Sequence, residues 1–110
     1  MAAPERGDLV WLDFAPQARH GQAGRRPALV LSPRAYHQRT PYAVVCPITS
    51  RVKGYPFEVA LPDGLPVGGV VLADQVKSID RHARRIEVAG RVPPGVVATV
   101  QQRIRALLEG

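Results

Sequence analysis

The 110-residue chain holds one cysteine and one tryptophan, and no apolar run approaches the roughly 18 residues that a membrane span needs. The single thiol, Cys46, excludes an intrachain disulfide framework and fits a reducing, cytoplasmic setting. It lies within AVVCPI, an apolar stretch, and reads as a small buried hydrophobe. Histidine is equally sparse. His20, His37 and His82 are scattered, and none stands at zinc-ligand spacing from Cys46, so neither a metal nor a cofactor is expected. The chain has no P-loop and no dinucleotide fingerprint. Its first residues, MAAPERGD, lack the apolar centre of a signal peptide. Acids are few, and Asp8, Asp13, Glu58, Asp74 and Asp80 fall mostly at strand edges or turns. They read as solvated or paired surface groups, not as the carboxylate pair of a glycosidase.

What is abundant is positive charge. Fifteen Lys and Arg against nine Asp and Glu give a net charge of +6 and a pI near 10.4. Thirteen of those fifteen cations are arginine. Arginine binds phosphate bidentately and stacks on bases, so this balance suits an anionic partner, nucleic acid first. The length fits one domain, residues 1–110.

Short β-branched and apolar segments recur between turn signals. GDLVWLDF (Gly7 to Phe14), PALVLSP (Pro27 to Pro33), YAVVCPITS (Tyr42 to Ser50), FEVAL, VVLADQVKSID and RIEVAGRV each predict one or two strands. Residues Ala15 to Arg26 carry Pro16, Gly21 and Gly24 without periodicity and predict a loop. Arg34 to Pro41 reads as a polar connection with one helical turn, and Pro47 predicts an edge or a bulge in its strand. From Pro94, the apolar residues Val96, Val97, Val100, Ile104, Leu107 and Leu108 fall on one helical face. The expected fold is mainly β, a small twisted antiparallel barrel with a C-terminal helix.

Cations concentrate in two loops. The first holds Arg19, His20, Arg25 and Arg26. The second follows the third strand and holds Thr49, Ser50, Arg51 and Lys53. In a small barrel both can lie at one rim and face one ligand. Arginine can neutralise a phosphate and the extra charge of its transition state, and a hydroxyl can hold a phosphate oxygen. Such a set suits phosphodiester chemistry without a metal. A solvated basic rim would have the same composition.

GDLVWLDFAPQ, GQAGRRPALVLSP, KGYPFEV and LADQVKSID, in that order, resemble the MazF/PemK family of toxin endoribonucleases, closest to its MazF branch. The resemblance implies an SH3-like barrel and a homodimer. It also implies metal-independent cleavage of single-stranded RNA (mRNA) at short sequences, leaving a 2′,3′-cyclic phosphate and a 5′-hydroxyl. A MazE-like antitoxin is the implied inhibitor. By position, the family's catalytic arginine falls on Arg26 and its catalytic threonine on Thr49. Arg19, Gln22, Arg25, Ser50, Arg51, Lys53, Tyr55 and Lys77 are the implied RNA contacts. Among the aromatics, Tyr55 in the basic turn is the expected stacking platform, and Trp11 and Phe57 are expected in the core.

One departure stands out. Members of this branch commonly read G-x-E-Q-x-G-x-R-P, whereas this chain reads RHGQAGRRP. Arg19 replaces a glycine and Gly21 replaces the glutamate. Three explanations follow: Arg26 and Thr49 act without it, His20 serves as a substitute base, or the acid has been lost. The second reading is therefore a homologue that binds RNA or antitoxin but cuts weakly. A third is a gyrase poison of the CcdB type, which shares the fold but neither GQAGRRP nor KGYPFEV.

Overall fold

The computed structural model describes residues 3–13 and 24–110. The strands are β1 (Asp8–Asp13), β2 (Arg25–Val30), β3 (Tyr42–Thr49), β4 (Glu58–Ala60), β5 (Val70–Leu72), β6 (Lys77–Asp80) and β7 (Glu87–Arg91). A six-residue helix, α1 (Arg34–Arg39), joins β2 to β3. A 3-10 turn (Ala73–Gln75) joins β5 to β6, and α2 (Pro94–Glu109) closes the chain. All pairings are antiparallel, in the order β4-β5-β3-β2-β1-β7, with β6 also on β3.

β3 is the hub. One edge pairs with β2. The other edge pairs with β6 along Tyr42–Val45 and with β5 at Ile48 and Thr49. Cys46 and Pro47 fall between those two partners on that edge. A residue without an N–H therefore costs no ladder bond there, and Pro47 marks the change of partner. The sheet changes partner at this point but does not close. β4 and β7, its two ends, do not pair, so the expected barrel is open. The apolar face of α2 covers the opening. Val96 and Val100 bury against Val59 and Leu61 from the β4 side, and against Leu9, Leu29, Cys46 and Val92.

The strands centred on β3 are buried on both faces, which is why they read as continuous apolar runs rather than alternating ones. Leu9, Leu29, Leu31, Cys46 and Ile48 face the α2 side. Val10, Leu12, Ala28, Val30, Ala43, Val45 and Ile79 face the other and form a second cluster with Ile86. The helical stripe is corrected at its end: Leu107 is 46% exposed and Leu108 79%. Periodicity marks the correct face of α2, but the last turn runs past the sheet.

The environment of His37 is not signalled by the sequence pattern, whereas the burial of Cys46 is as expected. His37 of α1 is buried. Its Nδ1 lies 2.7 Å from the Pro4 carbonyl oxygen and its Nε2 2.6 Å from the Ser32 hydroxyl. The Ser32 oxygen in turn accepts the Val44 N–H at 2.8 Å. Cys46 is fully buried, and burial pushes its thiol up to about 12, with Asp74 adding to the shift. It is an inert core residue.

Candidate active site

Strand alternation builds the site. Residues two apart share a face. On β2 the series Val30, Ala28, Arg26 runs from core to rim. On β3 it is Val45, Pro47, Thr49, and on β6 Ile79, Lys77. The register binds these series together, with Ala28 opposite Pro47 and Val45 opposite Lys77. One face of the sheet thus begins as an apolar cluster and ends as a polar cavity. Arg26, Pro47, Thr49 and Lys77 all line that cavity, which has a volume of about 510 Å³.

The segment after β3 supplies the rest of the wall. Arg51, Lys53 and Tyr55 line the cavity, as do Glu58, Asp74 and Gln75. The Thr49 hydroxyl oxygen accepts the Arg51 N–H at 3.1 Å, which turns the chain back on itself. The hydroxyl proton remains available to a ligand. The Glu58 carboxylate accepts the Gly54 N–H at 2.8 Å and the Lys53 N–H at 3.1 Å. That clasp fixes a turn in which Gly54 has φ +85. Lys53 Nζ stands 6.0 Å from the Tyr55 ring centroid, and Tyr55 is 61% exposed. Among the described residues, Arg26, Arg51 and Lys53 pair with no carboxylate. Four cations therefore meet two acids in this cavity, and backbone amides already occupy one of the acids.

A second cavity, of about 530 Å³, adjoins the first. Arg26, Ile48, Thr49 and Arg51 line both. Its other walls are Trp11, Pro27, Ser50, Pro66, Val67 and Gly68. Trp11 is 37% exposed, so its expected place in the core is corrected. It stands opposite Pro27 in the register, at the rim where β1 leaves the core. Phe57 is half-buried and packs on the main cluster, as expected.

The structure separates the adjacent arginines. Arg26 lines both cavities. Arg25 points to the opposite face, where it meets Asp13 at 3.3 Å, Glu87 at 3.0 Å and the Arg85 carbonyl at 2.9 Å. Both also belong to β2 and not to the preceding loop. Of the other expected contacts, Ser50, Arg51, Lys53, Tyr55 and Lys77 line the cavities. Arg19, His20, Gly21 and Gln22 lie outside the described residues. Sequence reading missed Glu58, Asp74 and Gln75 as cavity residues. It also missed Gly69, which has φ +113 and lies so close to the Thr49 carbonyl that a Cβ would collide with it. The doubled glycine in LPVGGV was the only signal, and it reads equally well as a turn.

The family model of PemK-like, MazF-like toxins of type II toxin-antitoxin systems matches residues 5–108. The chain is 46% identical over 105 residues to the endoribonuclease toxin MazF of Escherichia coli K12, covering 96% of this chain and 94% of that protein. It is 54% identical to MazF of Deinococcus radiodurans in its crystal structure, with 97% of each chain covered and a TM-score of 0.87. A MazE-MazF crystal structure from the same organism gives 53% identity, 96% coverage of each chain and a TM-score of 0.88. The likeness runs from before β1 into the last turn of α2 and takes in every strand that shapes the two cavities, so the chain belongs to the family of PemK-like, MazF-like toxins of type II toxin-antitoxin systems.

Proposed function

We propose that the chain is a metal-independent endoribonuclease that cuts single-stranded RNA, with Arg26 and Thr49 at the reacting phosphate. The observation that carries the reading is that these two residues, on different strands, line one cavity whose cations outnumber its acids. The names of the relatives support it, since the E. coli proteins MazF, ChpB and PemK are all called endoribonucleases.

In this reading the 2′-oxygen of a ribose attacks the adjoining phosphorus as its proton leaves to a base. The bond from phosphorus to the 5′-oxygen breaks, and that oxygen takes up a proton. The products are a 2′,3′-cyclic phosphate and a 5′-hydroxyl. Arg26 neutralises the phosphate and the added charge of the phosphorane. Thr49 donates its hydroxyl proton to a phosphate oxygen while its own oxygen holds the Arg51 N–H. Arg51, Lys53 and Lys77 track the RNA backbone, and Tyr55 offers a stacking face. Ser50 adds a hydroxyl contact. His20 is the titratable candidate for the base, and Arg19 and Gln22 flank it in sequence. Arg25 is left out because its guanidinium is engaged on the far face.

The same reading makes the chain a homodimer acting on cytoplasmic mRNA and held by a MazE-like antitoxin. The MazE-MazF complexes among the solved relatives support the antitoxin. Digestion of a single-stranded RNA library in EDTA tests the activity. Discrete cuts with 5′-hydroxyl ends are expected, and intact RNA would overturn the reading in favour of a binding-only homologue.

A further inference from the structure

The second cavity shares Arg26, Thr49 and Arg51 with the first, but it also holds the one indole in the chain, which the chemistry above does not use. Trp11 lines it together with Pro27, Pro66 and Val67. An exposed tryptophan set among apolar walls is a surface that water covers poorly and a flat ring covers well. The rim is cationic, with Arg26 and Arg51, and none of the residues that line it is acidic. Because Arg26, Thr49 and Arg51 belong to both cavities, a phosphate held by Arg26 and Thr49 stands at their shared wall.

We infer that the second cavity is a nucleobase subsite, in which a base next to the reacting phosphate stacks on Trp11. This rests on the RNA chemistry proposed above. The first cavity offers Asp74 and Gln75, groups that can read base edges by hydrogen bond. The second offers a π-face and apolar walls, with Ser50 as its neutral polar side chain apart from Thr49. Stacking accepts any base, so this position of the RNA is sequence-tolerant while its neighbour across the phosphate is selected.

Trp11 reports on its own subsite, because all tryptophan emission comes from it. The probe is a random pool of 2′-O-methyl RNA hexamers, which lack the attacking hydroxyl and survive intact. Anisotropy of a labelled pool measures binding, and the unlabelled pool is used to follow Trp11 emission. Inorganic polyphosphate controls for charge alone. The hexamers should quench Trp11 and polyphosphate should not. Trp11→Leu should weaken hexamer binding by about 5- to 150-fold, while Trp11→Phe keeps it within about threefold. Hexamers that bind without changing Trp11 emission, polyphosphate that quenches equally, or Trp11→Leu binding like the parent would each overturn the subsite. If Trp11→Leu does not fold, the emission of the parent protein decides. Failure of the hexamers to bind at all would overturn the RNA reading itself, which separates the two failures.

Discussion

Asp13 and Arg25 face each other across β1 and β2, with Oδ1 3.3 Å from Nη1, one on each side of residues 14–23 in the chain. Arg85 reaches the other Asp13 oxygen at 3.5 Å, and Glu87 takes the second Arg25 nitrogen. Alternation then sends Arg26 to the cavity side. Two identical neighbouring side chains thus have different surroundings, one tying the strands and one lining the cavities. Arg25→Ala should lower stability by about 0.5–1 kcal/mol, the scale of a partly exposed pair, and the thermal midpoint by several degrees. Arg26→Ala should move stability by less than about 0.5 kcal/mol but cut cleavage by roughly 100-fold or more. Thermal melts paired with cleavage rates check both, and a reversed pattern would exchange the two roles.

Gly69 backs Thr49 from behind. Its φ of +113 disfavours any side chain, and a Cβ there would strike the Thr49 carbonyl carbon and oxygen. Gly69→Ala should cost about 1–3 kcal/mol from backbone strain alone, and more from displacing Thr49. The cleavage rate should fall more than the folded fraction does. Gly95→Ala, where a Cβ meets nothing within 4 Å in the first turn of α2, is the matched control and should be neutral or slightly stabilising. Equal effects of the two substitutions would remove Gly69 from the site's support.

Most of the strands were legible because both of their faces are buried. Runs such as ALVL and YAVVC are too apolar for a surface strand and too short and bounded for a helix. What stayed hidden depends on register. The resemblance singled out Arg26, but it also made Arg25 an RNA contact, and only the pairing of Asp13 with Arg25 shows which one is tied down. That the loops of Arg26 and Thr49 share a rim was expected from a small barrel and their roles came from the resemblance, but which of their side chains share a face is fixed only once β2 and β3 are aligned. Trp11 looked like core for the same reason. Its exposure follows from standing opposite Pro27 at the rim, two residues beyond the buried Leu9. The open sheet was also beyond reach, since closure depends on how β4 and β7 end relative to α2.

Glu58 sits in the cavity, but its carboxylate faces the loop and not the centre. By holding the N–H groups of Lys53 and Gly54 it sets where Lys53 and Tyr55 stand. Hydrogen bonds to a charged acceptor are worth about 1.5–3 kcal/mol when buried, and this loop is exposed, so the lower end applies. Glu58→Ala should raise KM by roughly tenfold with a smaller change in kcat, because it frees the loop proposed to hold substrate and leaves Arg26 and Thr49 in place. Glu58→Gln keeps one acceptor oxygen and should recover part of the loss. A fall in kcat at unchanged KM would instead place Glu58 in the chemical step.

His37 couples stability to pH. Burial lowers its pKa below the ordinary value of 6.5. The Pro4 carbonyl and Asp8 oppose that shift, while Arg81 and Arg34 reinforce it. With Nδ1–H donating to Pro4, Nε2 accepts the Ser32 hydroxyl proton, so the native ring is neutral. The unfolded histidine takes up its proton near pH 6.5 and the folded one only at lower pH. Between those values the unfolded state binds more protons, and stability rises with pH. The full contribution is present above about pH 6.5 and is lost as the pH falls through the folded value. Protonation would also leave the Ser32 hydroxyl proton without its acceptor in a buried space. Urea midpoints measured from pH 8 down to pH 5 should therefore fall, and His37→Gln should flatten part of that fall even if it lowers every midpoint. A variant whose midpoints fall in parallel with the parent would assign the pH dependence to other groups.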